Sequence, residues 1–346
     1  MTASADITLY SCLDSTMDRL GGQPSSHAPW LGRCGSSHRA INVWTTVWTT
    51  FFPATSLLFM TTTTPTFSVD VGDYRFDVHA AVAGPGTAGR TAAVLLHGFP
   101  QSAASWSVVA QRLSAFGIAS YAPNQRGYSP GARPAAVDAY RLAELTGDII
   151  GLCDALGLER VHLVGHDWGA IVAWSVAAAY PTRVASLTAV SVPHPAAFAQ
   201  AMRSDPEQIE KSRYMALLEE PGSEEMLLAD AAAALRIGFG AAVAGEIAQS
   251  HIEVLSQPGA MTAALNWYRA KGQDWHDISA VRVPSTFVWG TEDIAVSRWA
   301  AERCVRHVDA PYQFLALDGV GHWIPEEVPN RLSAAIVHRI VGAHGD

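Results

Sequence analysis

The chain is short of charge, and shortest of positive charge. Of its 346 residues 16% are Asp, Glu, Lys or Arg, with 32 acidic against 23 basic, so the formal net charge is −9. That deficit argues against a nucleic-acid backbone or an anionic membrane surface as the main partner, since both are held by excess Lys and Arg. Cysteine is scarce too. Cys12, Cys34, Cys153 and Cys304 lie far apart with no CxxC or His-flanked spacing, which argues against a metal site or a disulfide framework and points to the cytoplasm. No internal repeat is present. What is there is apolar material, 49% of the chain, enough for a sizeable core and incompatible with wholesale disorder. A small molecule of low polarity is the partner that fits, for a protein working as a monomer or homodimer. The length alone suggests about two domains.

The deficit is uneven. Residues 1–59 hold six charged side chains, Asp6, Asp14, Asp18, Arg19, Arg33 and Arg39, which cancel, so the net charge belongs to residues 60–346. Ile41 to Met60 carries twelve apolar residues, but five threonines, Asn42, Ser56 and Pro53 interrupt it, and a spanning helix wants about 20 mostly apolar residues. No membrane span is expected. The basic residues come too late for a signal peptide. With arginine far outnumbering lysine, as in GC-rich coding sequence, residues 1–59 read as a non-native or disordered extension ahead of a start at Met60.

Beyond it a regular rhythm begins. Phe67 to Val71 and Tyr74 to Val78 alternate apolar and polar about Gly72-Asp73, the pattern of an antiparallel pair at a sheet edge. Ala92 to Leu96, Val161 to Val164 and Val184 to Val192 are apolar runs that suit strands buried on both faces, with Ile118 to Ala122 a further short strand. Helical patterns fall between them, at Trp106 to Phe116, Tyr140 to Leu156 and 169–180. Alternation of this kind predicts an α/β protein with a mainly parallel, doubly wound sheet. The rhythm breaks over residues 196–275, which read as helices only, including Glu224 to Ile237 and Ala241 to Leu255. It resumes with a strand at Ser285 to Gly290, a helix near Arg298 to His307, a strand at Gln313 to Leu317 and a last helix near Leu332 to Val341. Residues 60–195 and 276–346 therefore form a core into which a helical cap, 196–275, is inserted.

Chemistry concentrates at the ends of the strands. Gly165-His166-Asp167-Trp168-Gly169 stands between a buried strand and a helix and has the G-x-nucleophile-x-G form of a nucleophile elbow, with aspartate where serine is usual. A carboxylate that attacks carbon makes an ester, and the ester must then be hydrolysed, so the site needs a base and an oxyanion hole. Asp293 follows one later strand, and His322 follows the next in Gly321-His322-Trp323. His322 is the candidate base and Asp293 its orienting acid, although Glu292 beside it is also a carboxylate. Backbone N–H groups of Phe99, in His97-Gly98-Phe99-Pro100, and of Trp168 are the candidate oxyanion hole. Phe99, Trp168 and Trp267 are expected to line an apolar substrate cavity. Taken alone, a GxDxG is an ordinary strand-to-helix turn, His322 a loop histidine and Cys153 and Cys304 core thiols; order and spacing together favour a catalytic set.

From about residue 65 onward the chain resembles an α/β-hydrolase-fold epoxide hydrolase, in the HGFP turn, the GHDWG elbow, the acid after the seventh strand and the GHW histidine. The resemblance extends into the cap, where Arg213-Tyr214-Met215 with Glu220-Pro221-Gly222, and Leu265-Asn266-Trp267-Tyr268-Arg269, are similar to the segments that carry two ring-opening tyrosines. It implies those roles for Tyr214 and Tyr268, and hydrolysis of an apolar epoxide to a vicinal diol with no metal or organic cofactor. One loop departs: Pro123-Asn124-Gln125-Arg126-Gly127-Tyr128-Ser129 has Asn where many members have Asp, with a displaced serine, which puts local hydrogen bonding in doubt. Two other readings stay open. A haloalkane dehalogenase shares nucleophile and base, but its halide needs side-chain N–H donors and Phe99 has none. A hydrolase-fold binding protein without turnover would have little use for the retained set.

Overall fold

The computed structural model describes residues 66–81, 92–270, 272 and 277–343. The readings made for residues 1–59, for Cys12 and Cys34, and for the far end of the cap at Trp275 lie outside the described residues. β1 (Thr66–Val71) and β2 (Tyr74–Ala81) form the antiparallel edge pair, joined at Gly72-Asp73. β3 (Ala92–Leu96), β4 (Ala119–Pro123), β5 (Val161–His166), β6 (Val184–Val190), β7 (Ser285–Gly290) and β8 (Tyr312–Leu317) follow. The sheet order is β1-β2-β4-β3-β5-β6-β7-β8, parallel from β4 to β8.

Burial explains why the central strands lack alternation in sequence. Every residue of β3, β5 and β7 is buried, so both faces must be apolar. Alternate residues serve opposite faces. Ala93, Leu95 and Val164 join one cluster with Val109 and Leu113 of α1 (Ser107–Ala115) and with Ile336 and Ile340 of the last helix, Pro329–Gly342. Val94, Leu96 and Leu163 join the other, with Ile149 of α2 (Leu142–Ala155) and Ile171 of α3 (Trp168–Ala179). Each fully buried Leu or Ile contributes about 1.5–3 kcal/mol. Helices on both faces then hold the strand ends still, where the motifs sit.

Between β6 and β7 the described residues form α4 (Pro195–Ser204), α5 (Pro206–Lys211), α6 (Tyr214–Glu219), α7 (Ser223–Phe239), α8 (Gly245–Leu255) and α9 (Ala260–Arg269), with no strand. His194 caps the first of them, its Nδ1 accepting from the Ala196 N–H at 3.2 Å. The helix expected over Glu224–Ile237 is interrupted: Ala229 is extended, and Asp230, Ala231 and Ala232 have φ of 51°, 56° and 60°. Left-handed alanine costs roughly 1–2 kcal/mol per residue. The chain beyond the break is anchored on Trp323, whose indole N–H donates to the Gly238 carbonyl at 3.0 Å and whose ring meets Phe239 edge-on. The first of the closing helices, α10 (Arg298–Arg303), α11 (Ile324–Glu327) and α12 (Pro329–Gly342), follows β7 and the other two follow β8.

The departing loop after β4 keeps its hydrogen bonds. Asn124 Oδ1 accepts from the Ala103 N–H at 2.9 Å, and Ser129 Oγ donates to the Asn124 carbonyl while accepting from the Asp77 N–H at 2.9 Å. Arg126 in the same loop makes a bidentate pair with Asp148 of α2, at 2.7 and 2.6 Å, with both side chains almost wholly buried. Breaking such a pair strands a charge away from water. Asp148→Asn is expected to lower the unfolding free energy by about 3–5 kcal/mol, measured by urea denaturation; a loss below about 1 kcal/mol would mean that the Arg126 guanidinium finds water or another acceptor.

Candidate active site

β5 ends at His166, and the chain turns at Asp167 with φ 53° and ψ −121° before α3 begins. A non-glycine residue is strained there. The turn is held by backbone packed too closely for any side chain: a Cβ on Gly165 would lie 2.1 Å from the Gly169 carbonyl oxygen, and one on Gly169 2.2 Å from that of Leu96. The strain lifts the Asp167 side chain above the sheet at the N-terminus of α3, where a helix dipole favours negative charge.

β3 lies beside β5, so its closing turn meets the elbow. The Phe99 N–H donates to Asp167 Oδ1 at 2.8 Å, and the Trp168 N–H also donates to this carboxylate. Both donors proposed for the oxyanion thus already hold one. A Cβ on Gly98 would stand 2.2 Å from Asp167 Oδ1; the position must be bare for Phe99 to reach the carboxylate.

His322 and Asp293 converge on the same point. His322 Nδ1 donates to Asp293 Oδ2 at 2.9 Å and lies 3.0 Å from Oδ1, while its Nε2 faces Asp167 Oδ2 at 3.6 Å. Asp293 is fully buried and also accepts from the N–H groups of Ala295 and Val296, whereas Glu292 is exposed. Burial works against the charged form of the imidazole, but the Asp293 charge and the bonds to both carboxylates outweigh it and raise the His322 pKa to about 10. Burial likewise pushes the Asp167 pKa up, and the hydrogen bond and charge of His322 more than reverse this, so it ends below the usual range. At rest the site holds two carboxylates about one imidazolium.

Two phenols from the inserted helices close the site from above. The Tyr214 and Tyr268 phenols neighbour one another, and the Trp168 ring stands edge-on against that of Tyr268 at 5.1 Å. Tyr268 is buried; Tyr214 keeps 40% of its surface exposed, yet its hydroxyl end is enclosed and lines the cavity over Asp167. Burial, and then the nearby Asp167 charge, push the Tyr214 phenol well above its ordinary value; burial, Tyr214 and Asp167 do the same to Tyr268. Both therefore stay protonated as donors while Asp167 is charged.

The cavity is lined by Asp167, Trp168, Tyr214 and Tyr268 and by an apolar wall that includes Ile171, Val192, Phe198 and Met215. Phe99 and Trp267 are not among the lining residues. Phe99 packs edge-on against the Tyr268 ring at 5.4 Å, and Trp267 stands against Trp168 at 5.6 Å with its N–H on the Arg126 carbonyl. They brace the site from outside the cavity. The wall residues Phe198 and Met215 were invisible in sequence, because an apolar residue on a helix gives no sign of which cavity it faces. Also unsignalled are Asp205, Gln208 and Lys211, through which the inserted segment holds the loop carrying Asp293. Lys211 Nζ donates to the Asp293 carbonyl, Gln208 Nε2 to that of Ala295 at 2.7 Å, and Ser297 Oγ to Asp205 Oδ2 at 2.5 Å. Among the described residues no group of three or more His, Cys, Asp or Glu is placed to hold a metal ion.

A doubly wound sheet with a strained elbow, then an acid and a histidine after successive later strands, defines the α/β-hydrolase class. The family model described as the alpha/beta hydrolase fold matches residues 92–329. Epoxide hydrolase A of Mycobacterium tuberculosis is 31% identical over 310 residues, covering 77% of this chain and 95% of that protein. The AB hydrolase superfamily protein YfhM of Bacillus subtilis is 36% identical over 256 residues, 72% of this chain and 87% of its own. The crystal structure of epoxide hydrolase A from Mycobacterium thermoresistibile superposes with a TM-score of 0.70 at 29% identity, over 80% of this chain and 98% of that one. The chain belongs to the epoxide hydrolase family of α/β-hydrolase-fold proteins.

The close approach at Gly98 yields a test of the geometry. Gly98→Ala must displace either the Asp167 carboxylate or the Phe99 N–H, and misplacement by about 1 Å costs on the order of 100-fold in rate. Turnover should fall by that much while the thermal midpoint moves little; activity within a factor of about three would show that the turn yields without disturbing the carboxylate.

Proposed function

We propose that this chain hydrolyses an apolar epoxide to a vicinal diol through a covalent ester on Asp167, without metal or organic cofactor, with the helices between β6 and β7 acting as its cap. The observation that carries the reading is the placement of two protonated tyrosine hydroxyls over the Asp167 carboxylate, with the His322–Asp293 pair beside it. Asp167 Oδ1 is engaged by the Phe99 N–H, so Oδ2 is the attacking atom. Its attack on a ring carbon breaks that carbon's bond to the epoxide oxygen. Tyr214 and Tyr268 hydrogen-bond the departing alkoxide and give it a proton, which overcomes its poor leaving ability. Oδ1 becomes the ester carbonyl oxygen, already lodged in its oxyanion hole.

Ester formation also switches the base. With Asp167 neutral, His322 loses a charge and a hydrogen bond that favoured its protonated form, so its pKa falls, its proton returns to the tyrosinate left by ring opening, and the neutral imidazole can then take a proton from water. That water attacks the ester carbonyl carbon, the oxyanion is held by Phe99 and Trp168, and collapse releases the diol and the Asp167 carboxylate. The proton taken from water restores the imidazolium, as the imidazolium's own proton restored the tyrosine. The apolar wall suits an apolar substituent on the epoxide, and the two buried cysteines among the described residues, Cys153 and Cys304, are free thiols, in keeping with a cytoplasmic enzyme. Among the described residues no helix is long and apolar enough to cross a membrane.

His322→Gln removes the base and leaves the nucleophile. After incubation with styrene oxide, intact-mass measurement should show an adduct of the epoxide's full mass on Asp167; an adduct from a 1-haloalkane that has lost HX, with none from the epoxide, would transfer the activity to dehalogenation. Tyr268→Phe should lower the ring-opening rate by about 10²-fold or more with little change in stability, as read by single-turnover kinetics, and an unaltered rate would remove Tyr268 from the chemistry.

A further inference from the structure

Next to His322, among residues that do not line the cavity, a second set of titratable groups is buried with no role in the steps above. Glu326 on α11 is enclosed, and its Oε1 lies 2.6 Å from Gln101 Nε2 and 3.5 Å from His251 Nε2 of α8, while its Oε2 has no hydrogen-bond partner. The other end of the Gln101 amide is 2.7 Å from His166 Nδ1, and His166 Nε2 is 2.8 Å from the backbone carbonyl of His322. A line of four groups therefore runs from a buried carboxyl to the backbone of the candidate base.

Donor and acceptor arithmetic constrains this line. The His322 carbonyl only accepts, so His166 Nε2 must carry hydrogen. If Gln101 turns its oxygen to His166, then Nδ1 must carry hydrogen too, and His166 is an imidazolium facing an ionised Glu326. If the amide turns the other way, its NH₂ donates to a bare Nδ1, its oxygen faces Glu326, and Glu326 must be the acid that donates to it. The two arrangements hold the same number of protons and differ by an amide flip and one proton. Burial disfavours charge at both ends: it lowers the His166 pKa to about 4 and raises that of Glu326 to about 8. The neutral arrangement is the resting one.

We propose that Glu326 is a positioning residue of the hydrolytic step, a buried carboxylic acid that acts through Gln101 and His166 to hold the backbone of His322 in place. This rests on the epoxide hydrolase reading of the site. When Glu326 loses its proton, Gln101 turns its NH₂ to the carboxylate and its oxygen to His166, whose single hydrogen moves to Nδ1. The bond to the His322 carbonyl is then lost. Among the described residues, the titratable groups around Glu326 are these. His251 receives the Ser102 N–H on Nδ1, so its Nε2 carries hydrogen toward Glu326. His97 is pinned by the Gly98 carbonyl and the Gln125 N–H. His322 lies in the same loop, with Asp167 and Asp293 beyond it, and Glu327 turns away to the Gly321 N–H.

The test combines a spectrum with a rate. Infrared spectra of the whole protein should show a buried carboxylic-acid C=O band at neutral pH that fades as pH rises through about 8 and is missing in Glu326→Gln. The rate of ester hydrolysis in single turnovers should rise as His322 loses its proton and then fall roughly fivefold, the worth of one hydrogen bond, over the same range as the band. In Glu326→Gln, which mimics the acid and cannot titrate, that fall should disappear. Gln101→Met keeps the acid and cuts the link, so it should keep the band and lose the fall. A wild-type protein with no such band, or a band untouched in Glu326→Gln, overturns the assignment of the proton. A band that behaves as expected beside a rate profile unaltered by either substitution overturns the positioning role. Absence of epoxide turnover would sink the activity and leave the band to be read on its own.

Discussion

The rest of the structure depends on one backbone constraint, the left-handed turn at Asp167. It persists because three stretches of main chain meet there with no room for side chains: β5 at Gly165, the start of α3 at Gly169 and the end of β3 at Leu96. An isolated peptide would relax such a turn. Here the parallel pairing of β3 and β5 and the burial of every residue in both strands over-determine it. The same packing delivers the Phe99 N–H to the carboxylate, so the proposed nucleophile and oxyanion hole are one construction.

Electrostatics around that turn are arranged for change rather than for rest. The free site holds two carboxylates about one imidazolium, under two phenols whose protons are secured by burial and by the Asp167 charge. In the proposed mechanism alkylation of Asp167 deletes one negative charge, which makes His322 a better base and the phenols better acids in the same event. On that proposal the first chemical step prepares the second. What the fold must supply is rigidity, and the inserted helices help to supply it by gripping the loop that bears Asp293 through Gln208 and Lys211.

Much of this was legible in sequence because it is local. An elbow needs small residues at two fixed offsets from its nucleophile, a both-faces-buried strand needs an unbroken apolar run, and a hairpin needs Gly72-Asp73 between alternating segments. Such requirements act over a few residues and leave a pattern there. The segment 229–232 shows the opposite case. Its alanines are good helix formers, and nothing local asks for a break; the anchor is Trp323, far along the chain. Phe99 and Trp267 show a related limit, since sequence marks an aromatic residue near a site but not which of its faces meets the cavity.

By itself the sequence determined the alternating α/β order, the helical insertion after β6, and the identity and order of Asp167, Asp293 and His322, because each rests on residue type and near spacing. Only tertiary structure decided which carboxylate faces His322, which oxygen of Asp167 the Phe99 N–H holds, which side chains wall the cavity, and that Glu326, Gln101 and His166 stand in line. Those are distances between residues up to 225 positions apart in the chain, and they arise from how strands and helices pack. Burial then acts on them: the same Glu that would be an ordinary surface acid in an exposed loop becomes, once enclosed, a group that can hold its proton near neutral pH.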